Sequence, residues 1–528
     1  MENFTSSWIQ TDLLSLGASQ VKGLMPYFWM IVGTLVALMA CLFKERLSNL
    51  LVFSLTLITL VVGFMTSWGL VWTESVPIFN AMMVSDSFSH LMNLVFISAA
   101  GITVLGSWAY LKKEGLTYPE YYVLLLFSTI GMMLMVSAQD LIVLFIALEL
   151  MSLTVYTLVA FRRADRRCNE ASLKYFVLGG AASAILLYGA ALIYGATGST
   201  QLPTILSMVQ IDAGQVSTVF MVGAWLVIAG FLFKVASVPF HMWMPDVYEG
   251  APMPITGFMT TGLKAASFAA FARVFISLGY GQGLSDYLQV HIHDLMWICA
   301  LLTMIIGNLI ALTQTNLKRM LAYSSIAHTG YLMVGMIAGA FNDHGYSPVI
   351  FYLMTYSIMN IGAFILLAMI SKRFDVGANL QDFSGLAKRH PWLAFSFSVF
   401  MLSMAGIPPT AGFVAKYLLF YAAVQAGEVV LVILSVLCSA ISVYYYLRVI
   451  LVMYMKESIT PSMEGVPASG LSELSSTSSG SGVGVALSSI RETPFAVVAV
   501  GLMVILTIQL GVLPQQWIEI AKQAVSSL

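Results

Sequence analysis

The sequence predicts an all-α integral membrane protein of about fourteen transmembrane helices, built on two inverted five-helix repeats that each contain a broken helix. Three observations carry that prediction. Hydrophobic residues make up 59% of the chain against 9% charged, and the mean hydropathy of +0.88 lies far outside the range of soluble domains. The apolar residues fall into runs that match the roughly 20 residues a helix needs to cross a bilayer. The basic residues gather between alternate runs, as the positive-inside rule requires of a multi-pass chain.

In chain order, runs at 24–43, 48–72 and 89–111 lie in an N-terminal segment, 1–114. Runs at 119–138, 141–161, 172–197, 216–244 and 254–278 make the first repeat, 115–278. Runs at 293–313, 319–340, 348–371, 391–426 and 428–455 make the second, 279–455. Residues 456–494, with SSTSSGSGVG, are rich in serine and glycine and read as a flexible loop. A last run at 495–513 lies in the C-terminal segment 495–528. The opening MENFTSSWIQTDLLSLG has neither a basic n-region nor a small-residue cleavage site, so the first run is expected to act as its own insertion signal.

Orientation follows from the loops. If the first run crosses from outside to inside, the inner loops hold seventeen basic residues, among them Lys44, Lys112, Lys113, Arg162, Arg163, Lys174, Lys318, Arg319, Lys372, Arg373 and Arg491. The outer segments hold only Lys22 and Lys522, so both termini are expected to face outward. The basic residues are taken up by topology, and the net charge of -1 calls for no nucleic-acid partner. Cys41, Cys168, Cys299 and Cys438 form no CxxC pair, which argues against iron–sulfur, haem-attachment and zinc sites in this chain. The glycines of GYGQGL and GSGVGVA follow no expected strand and read as linkers rather than nucleotide loops.

The fourth and ninth runs each open a group of five, and an odd offset inverts the second group against the first. The fourth member of each group, 216–244 and 391–426, is overlong, about 43 and 54 Å at helical rise against a hydrocarbon core of about 30 Å. ASVPF around Pro239 and AGIPPTAG around Pro408 and Pro409 interrupt them, because proline removes a donor and clashes with the preceding turn. Matched interruptions in inverted repeats point to an ion site near the midplane; a packing kink is the plainer alternative.

Four ionisable residues lie deep in the runs: Glu149, Lys234, Lys264 and Lys416. Lys264 is about ten residues from the nearer end, roughly 15 Å at helical rise, beyond the snorkelling reach of a lysine stem. At about 2.5–3.5 kcal/mol per central charge, the four cost on the order of 10 kcal/mol, which packing alone would rarely retain. A lysine in a low-dielectric interior can load and release a proton, and a nearby carboxylate tunes its affinity. His328, in AYSSIAHTGY, is either a proton relay or a hydrogen-bonded interior histidine.

LELMSLTVY, FRRADRRCNEASLKYFVLGGAAS, FKVASVPFHMWMPDVYEGAPMP, NLIALTQTNLKRMLAYSSIAHTGYLMVG and MAGIPPTAGFVAKYLLF together resemble the antiporter-like subunits of proton-pumping NADH:quinone oxidoreductase, respiratory complex I. The resemblance spans roughly residues 115–455. It implies fourteen core helices, broken helices in both repeats, and one proton-translocation unit. It matches the family's proton-translocating charges to Glu149, Lys234, Lys264 and Lys416, with Glu149 expected to set the affinity of Lys234 and His328 expected to continue the path toward Lys416. Lys174 helps proton uptake or is an ordinary inner-loop charge; Asp246 and Glu249 gather protons or are simply solvated. The resemblance also implies that NADH, FMN, iron–sulfur clusters and quinone are handled by partner subunits, that the partners are neighbouring antiporter-like and small membrane subunits in the lipid bilayer, and that the membrane is a bacterial inner membrane. The chain is expected to be without the long lateral helix of the family's largest member, and it has lysine, not the neighbouring sibling's glutamate, at 416; the serine-rich loop departs from the usual pattern. A subunit of a multi-subunit sodium/proton antiporter, built on the same fold, and a purely structural scaffold are the rival readings.

The charge count yields a direct test of topology. Single cysteines placed in the 457–494 loop are labelled by an impermeant thiol reagent only from the cytoplasmic side, and labelling from outside overturns the span assignment.

Overall fold

The computed structural model describes residues 17–43, 45–211, 217–281, 286–342, 345–371, 375, 378–457 and 493–528. The opening segment, Lys44, Lys372, Arg373, Arg491, the end of GYGQGL and the Ser/Gly-rich part of the 456–494 loop lie outside them. Helices α1 (Ala18–Ala40), α2 (Glu45–Trp68) and α3 (Ser87–Glu114) come first. Between α2 and α3 a small antiparallel hairpin, β1 (Val76–Ile78) and β2 (Met83–Ser85), pairs Val76 with Ser85. Nothing in the sequence pattern points to it, because three-residue strands are too short for alternation to register.

The first repeat contains α4 (Glu120–Ser137), α5 (Leu141–Val159), α6 (Arg166–Thr197), the short α7 (Leu202–Ile211), α8 (Thr218–Lys234) and the short α9 (Trp243–Gly250). It ends with α10 (Met253–Phe258), which passes through a π turn, Met259–Leu263, into α11 (Lys264–Ser277). The second repeat contains α12 (Asp286–Thr313), α13 (Leu317–Gly339), α14 (Ser347–Ile370), the one-turn α15 (Leu386–Arg389), α16 (Pro391–Ala405), α17 (Ala411–Gln425) and α18 (Val429–Met455). Helices α19 (Pro494–Val512) and α20 (Gln515–Val525) follow. Ten of these helices are long and apolar enough to cross a membrane. The expected runs at 216–244 and 391–426 appear as pairs of shorter helices, and those at 254–278 and 319–340 as the polar-rich α10–α11 and α13.

The two repeats share their local chemistry. Asp140 caps α5 by accepting from Ile142 N at 2.8 Å and Val143 N at 3.3 Å, and Asn316 caps α13 by accepting from Lys318 N at 2.9 Å and Arg319 N at 3.3 Å. These caps satisfy the orphan amides of a helix start. Beside each cap a two-bond bridge ties the chain to a later loop: Leu141 N to Thr200 O and Leu202 N to Gln139 O in one repeat, Leu317 N to Ala378 O and Leu380 N to Thr315 O in the other. Gly131 and Gly307 bring the paired helices close, since a Cβ on either would stand 2.6 Å from the amide of Met151 or Ala327.

The helix breaks are also built alike. Helix α8 ends with Ser237 N donating to Leu232 O at 2.9 Å, and α16 with Ile407 N donating to Leu402 O at 3.1 Å. Each is the six-to-one bond of a Schellman close, and each places the residue before the donor in the left-handed region, Ala236 at φ 57 and Gly406 at φ 82. Pro239 and Pro409 follow, each preceded by a cis bond, and prevent the helix from resuming at once. Both breaks therefore lie where the sequence places them.

A left-handed alanine costs about 1–2 kcal/mol, so Ala236→Gly is expected to raise the thermal unfolding midpoint of the solubilised chain. Gly406→Ala is expected to lower it, because its Cβ would also stand 3.0 Å from Lys416 Cδ. Shifts of the same sign for both variants would contradict the shared geometry.

Candidate functional site

Lys234 is the last residue of α8, so the break that ends the helix delivers its side chain into the interior. Its Nζ donates to Ser152 Oγ at 3.0 Å, and Ser152 in turn donates to Leu148 O at 2.7 Å. Glu149 lies one turn before Ser152 on α5, half-buried on the flank that also carries exposed Ile142, Ile146 and Leu153. Its Oε1 is buried without a hydrogen-bond partner among the described residues. No ion pair within 4.0 Å joins Glu149 to Lys234. Any influence of one charge on the other acts through space.

Helix α9 folds back under the first break. Trp243 Nε1 donates to Phe233 O at 3.2 Å, which satisfies one of the carbonyls that the helix end leaves unbonded, and its ring stacks on Tyr175 with centroids 4.6 Å apart. A narrow cavity walled by Met151, Tyr175, Trp243 and Tyr248 separates Lys234 from Lys264.

Lys264 follows directly on the π turn, a one-residue insertion of the kind that often re-aims side chains at functional sites. It is 3% exposed. Its Nζ donates to Ser325 O at 2.5 Å and Ser325 Oγ at 2.7 Å and lies 5.1 Å from the centre of the Tyr356 ring. Tyr356 OH donates to the same Ser325 Oγ at 2.8 Å. One turn along α13, the His328 ring sits between two phenols, with Nδ1 2.6 Å from Tyr352 OH and Nε2 3.2 Å from Tyr446 OH. Tyr446 is hydrogen-bonded to Ser324.

Lys416 comes from α17 but turns back onto the end of α16. Its Nζ donates to Met404 O at 3.0 Å, Ala405 O at 3.2 Å and Ser439 Oγ at 2.9 Å, and it lies over the Tyr331 ring at 5.2 Å. A cation on the last carbonyls of a helix is favourably placed in the field of the aligned peptide dipoles. Lys234 stands five residues before Pro239, and Met404 five before Pro409. The second repeat thus brings an ammonium to the position matching Lys234, from the opposite half-helix.

Apart from these residues, Lys174 pairs with Glu170 at 2.7 Å and Asp246 at 3.0 Å, while Arg319 pairs with Asp246 at 3.0 Å and Glu249 at 2.8 Å. Burial alone would raise the Asp246 carboxyl, but the hydrogen bonds from Lys174 and Arg319 outweigh it and hold it below the usual carboxylate range. The structure brings Lys234, Lys264, His328 and Lys416 onto one interior axis. Lys174, Asp246 and Glu249 form a separate, half-exposed group.

Sequence reading missed the hydroxyl partners Ser152, Tyr352, Tyr356 and Tyr446, which stand opposite the charges only through tertiary packing. It also missed two buried ionic groups. Asp86 pairs with Arg273 at 2.8 Å, and Arg162 reaches Glu114 at 3.2 Å and Asp375 at 3.4 Å, with Lys318 at 3.2 Å from Asp375. For the second group the signal was an acidic residue near a run end, where Arg162 and Lys318 were read as topology alone; Arg273 lies inside the run 254–278. Among the described residues no cluster of His, Cys, Asp and Glu is suited to hold a metal ion.

Residues 138–442 match the family described as NADH:quinone oxidoreductase/Mrp antiporter, TM. The chain is 47% identical to NADH-quinone oxidoreductase subunit N of Trichlorobacter lovleyi over 75% of this chain and 79% of that protein. It is 40% identical to the subunit N of Myxococcus xanthus over 87% and 92%. In structure it is similar to a chain of respiratory complex I from Thermus thermophilus, with a TM-score of 0.74, 32% identity, and coverage of 94% of this chain and 100% of that one. With its broken helices and interior lysine axis, this multi-pass membrane protein belongs to the NADH:quinone oxidoreductase/Mrp antiporter family, in the NADH-quinone oxidoreductase subunit N branch.

Proposed function

We propose that this chain is the proton-translocating membrane subunit of an NADH:quinone oxidoreductase, and that it moves protons along the axis Lys234, Lys264, His328, Lys416. One observation carries the reading. Lys234, Lys264 and Lys416 are buried, yet each donates to hydroxyl or carbonyl oxygens, and among the described residues none has a carboxylate within 4.0 Å. A cation kept only to brace the fold is normally paired, because an unpaired buried charge costs several kcal/mol. An ammonium set among neutral acceptors can release its proton without stranding a counter-charge.

The steps follow from the contacts. A proton taken up near Lys174, Asp246 and Glu249 reaches Lys234 and crosses the narrow cavity to Lys264. Ser325 and the tyrosine hydroxyls both donate and accept, so they link Lys264 to His328, and Lys416 passes the proton onward. Glu149 biases Lys234 through space from the edge of the bundle. In this reading NADH, FMN, the iron–sulfur clusters and quinone are handled by partner subunits, and neighbouring antiporter-like and small membrane subunits flank the chain. Its membrane is a bacterial inner membrane, with both termini outside. The segments 1–114, 115–278, 279–455, 456–494 and 495–528 serve as N-terminal helices, the two half-channels, a cytoplasmic loop and a closing helix. If the chain instead belongs to a sodium/proton antiporter, small cation-antiporter subunits copurify with it rather than flavin and iron–sulfur subunits.

Lys234→Ala is expected to leave the complex assembled on a native gel while lowering proton uptake into vesicles, and the quinone reduction coupled to it, at least tenfold. Lys234→Arg keeps the charge but almost never releases a proton, so it should fail nearly as badly. Pumping close to wild type in the arginine variant rejects the carrier role.

Glu149 acts by charge alone in this scheme. Glu149→Gln should slow pumping several-fold, and Glu149→Asp, which keeps the charge, should be milder; equal rates in all three forms remove Glu149 from the mechanism.

A further inference from the structure

Away from the lysine axis, a groove of about 470 Å³ opens between α2 and α19 and is floored by α3 and α14. Its walls are apolar: Leu57, Val61 and Phe64 on one side, Leu502, Leu506 and Leu510 on the other. Near the start of each helix α2 and α19 meet through the rings of Phe53 and Phe495, 5.6 Å apart. Trp68, at the far end of α2, and Trp517, beyond the far end of α19, also line the groove.

Four features indicate what fills it. Residues 57–68 of α2, which wall the groove, cover about 16 Å at helical rise, close to the roughly 15 Å depth of one leaflet's hydrocarbon. Trp68, with Trp72 packed edge-on at 4.9 Å, and Trp517 mark the level at which tryptophans gather at a membrane interface. Trp517 belongs to α20, which turns Ala521 and Ala524 inward and exposes Gln515, Gln516, Glu519 and Lys522, the pattern of a helix lying in the headgroup plane. The groove is also continuous with the lipid-facing surface, since Val61 and Leu502 on its rims are exposed. Its volume falls in the range of about 300–1,000 Å³ of small-ligand sites.

We propose that this groove is a built site for one acyl chain of a phospholipid in the leaflet adjoining α20. The chain lies along α3 against the bare backbone at Gly101, where an added Cβ meets no atom within 4 Å, and its headgroup sits at the level of Trp68 and Trp517. Its role is to complete the packing between the N-terminal helices and α19, which the protein's own side chains leave open. The proposal does not depend on the proton path.

The test uses the intact purified complex reconstituted with phosphatidylethanolamine that carries a diazirine midway along one acyl chain. After irradiation, adducts are expected on peptides covering 57–68, 91–105 and 502–510 at several times the level on the exposed face of α6 around Leu173 and Val177. Gly101→Phe, which fills the floor of the groove, is expected to lower the groove adducts at least fivefold and to leave those on α6 unchanged. Groove adducts no more frequent than those on α6, or unaffected by Gly101→Phe, overturn the proposal. So does displacement of the probe by a long-tailed quinone, or cross-linking of benzoylphenylalanine placed at Val61 to another subunit. If the phenylalanine variant fails to assemble, the wild-type adduct map and the Val61 cross-link decide alone.

Discussion

Hydrocarbon offers no hydrogen bonds, so every backbone group freed inside the bilayer must find a partner within the protein. The two helix breaks are where this constraint is felt most. Each frees carbonyls in the middle of a span, and the fold answers with side chains brought from elsewhere. At the first break Trp243 donates to Phe233 O and Thr329 to Val235 O, while the Val238 amide donates to Thr303 at 2.9 Å. At the second, Lys416 donates to Met404 O and Ala405 O. Thr329 of α13 donates and Thr303 of α12 accepts at the first break, so its backbone groups are satisfied only when the second repeat packs against the first, whereas Lys416 serves the second break from within its own repeat. The interior lysines and the interruption of the helices are one design.

The repeats diverge in what they place at matching backbone positions. Both close with the same six-to-one bond and a left-handed residue, but the first puts its amine on the residue before the break and the second sends one back from beyond it. An ammonium on a helix C-terminus gains up to about 2 kcal/mol in a partly buried setting, less than the roughly 2.5–3.5 kcal/mol that a central charge costs. Lys416 therefore keeps a charge that is only partly compensated, while Lys234, itself the last residue of its helix, donates to a single serine hydroxyl.

Much of the fold was legible because membrane insertion reads little more than length and apolarity. The runs at 24–43 or 428–455 need only their composition to be recognised, and Pro239 and Pro409 announce a break by the lost donor alone. The faces were harder. Helix α5 is apolar all round, so its periodicity does not say which side meets protein, and the sequence could place Glu149 along the run but not on the flank that carries Ile142, Ile146 and Leu153. Arg162 and Lys318 obey the positive-inside pattern and are nevertheless buried with Glu114 and Asp375, because a rule about which side a charge lies on carries no information on whether it is covered. The β1–β2 hairpin and the apolar groove left no trace that a single sequence could yield.

By itself the sequence determined that the chain spans a membrane many times and where its helices are interrupted, and it singled out Lys264 as too far from a run end to snorkel. These follow from one-dimensional quantities, run length and the chemistry of proline and lysine. Only the tertiary structure decided that Lys264 meets Ser325, that His328 lies between two tyrosines, and that Lys416 closes the helix that precedes its own. Those contacts join residues 61, 24 and 12 positions or more apart in the chain. A partner across that distance is set by how helices pack, not by spacing along any one of them.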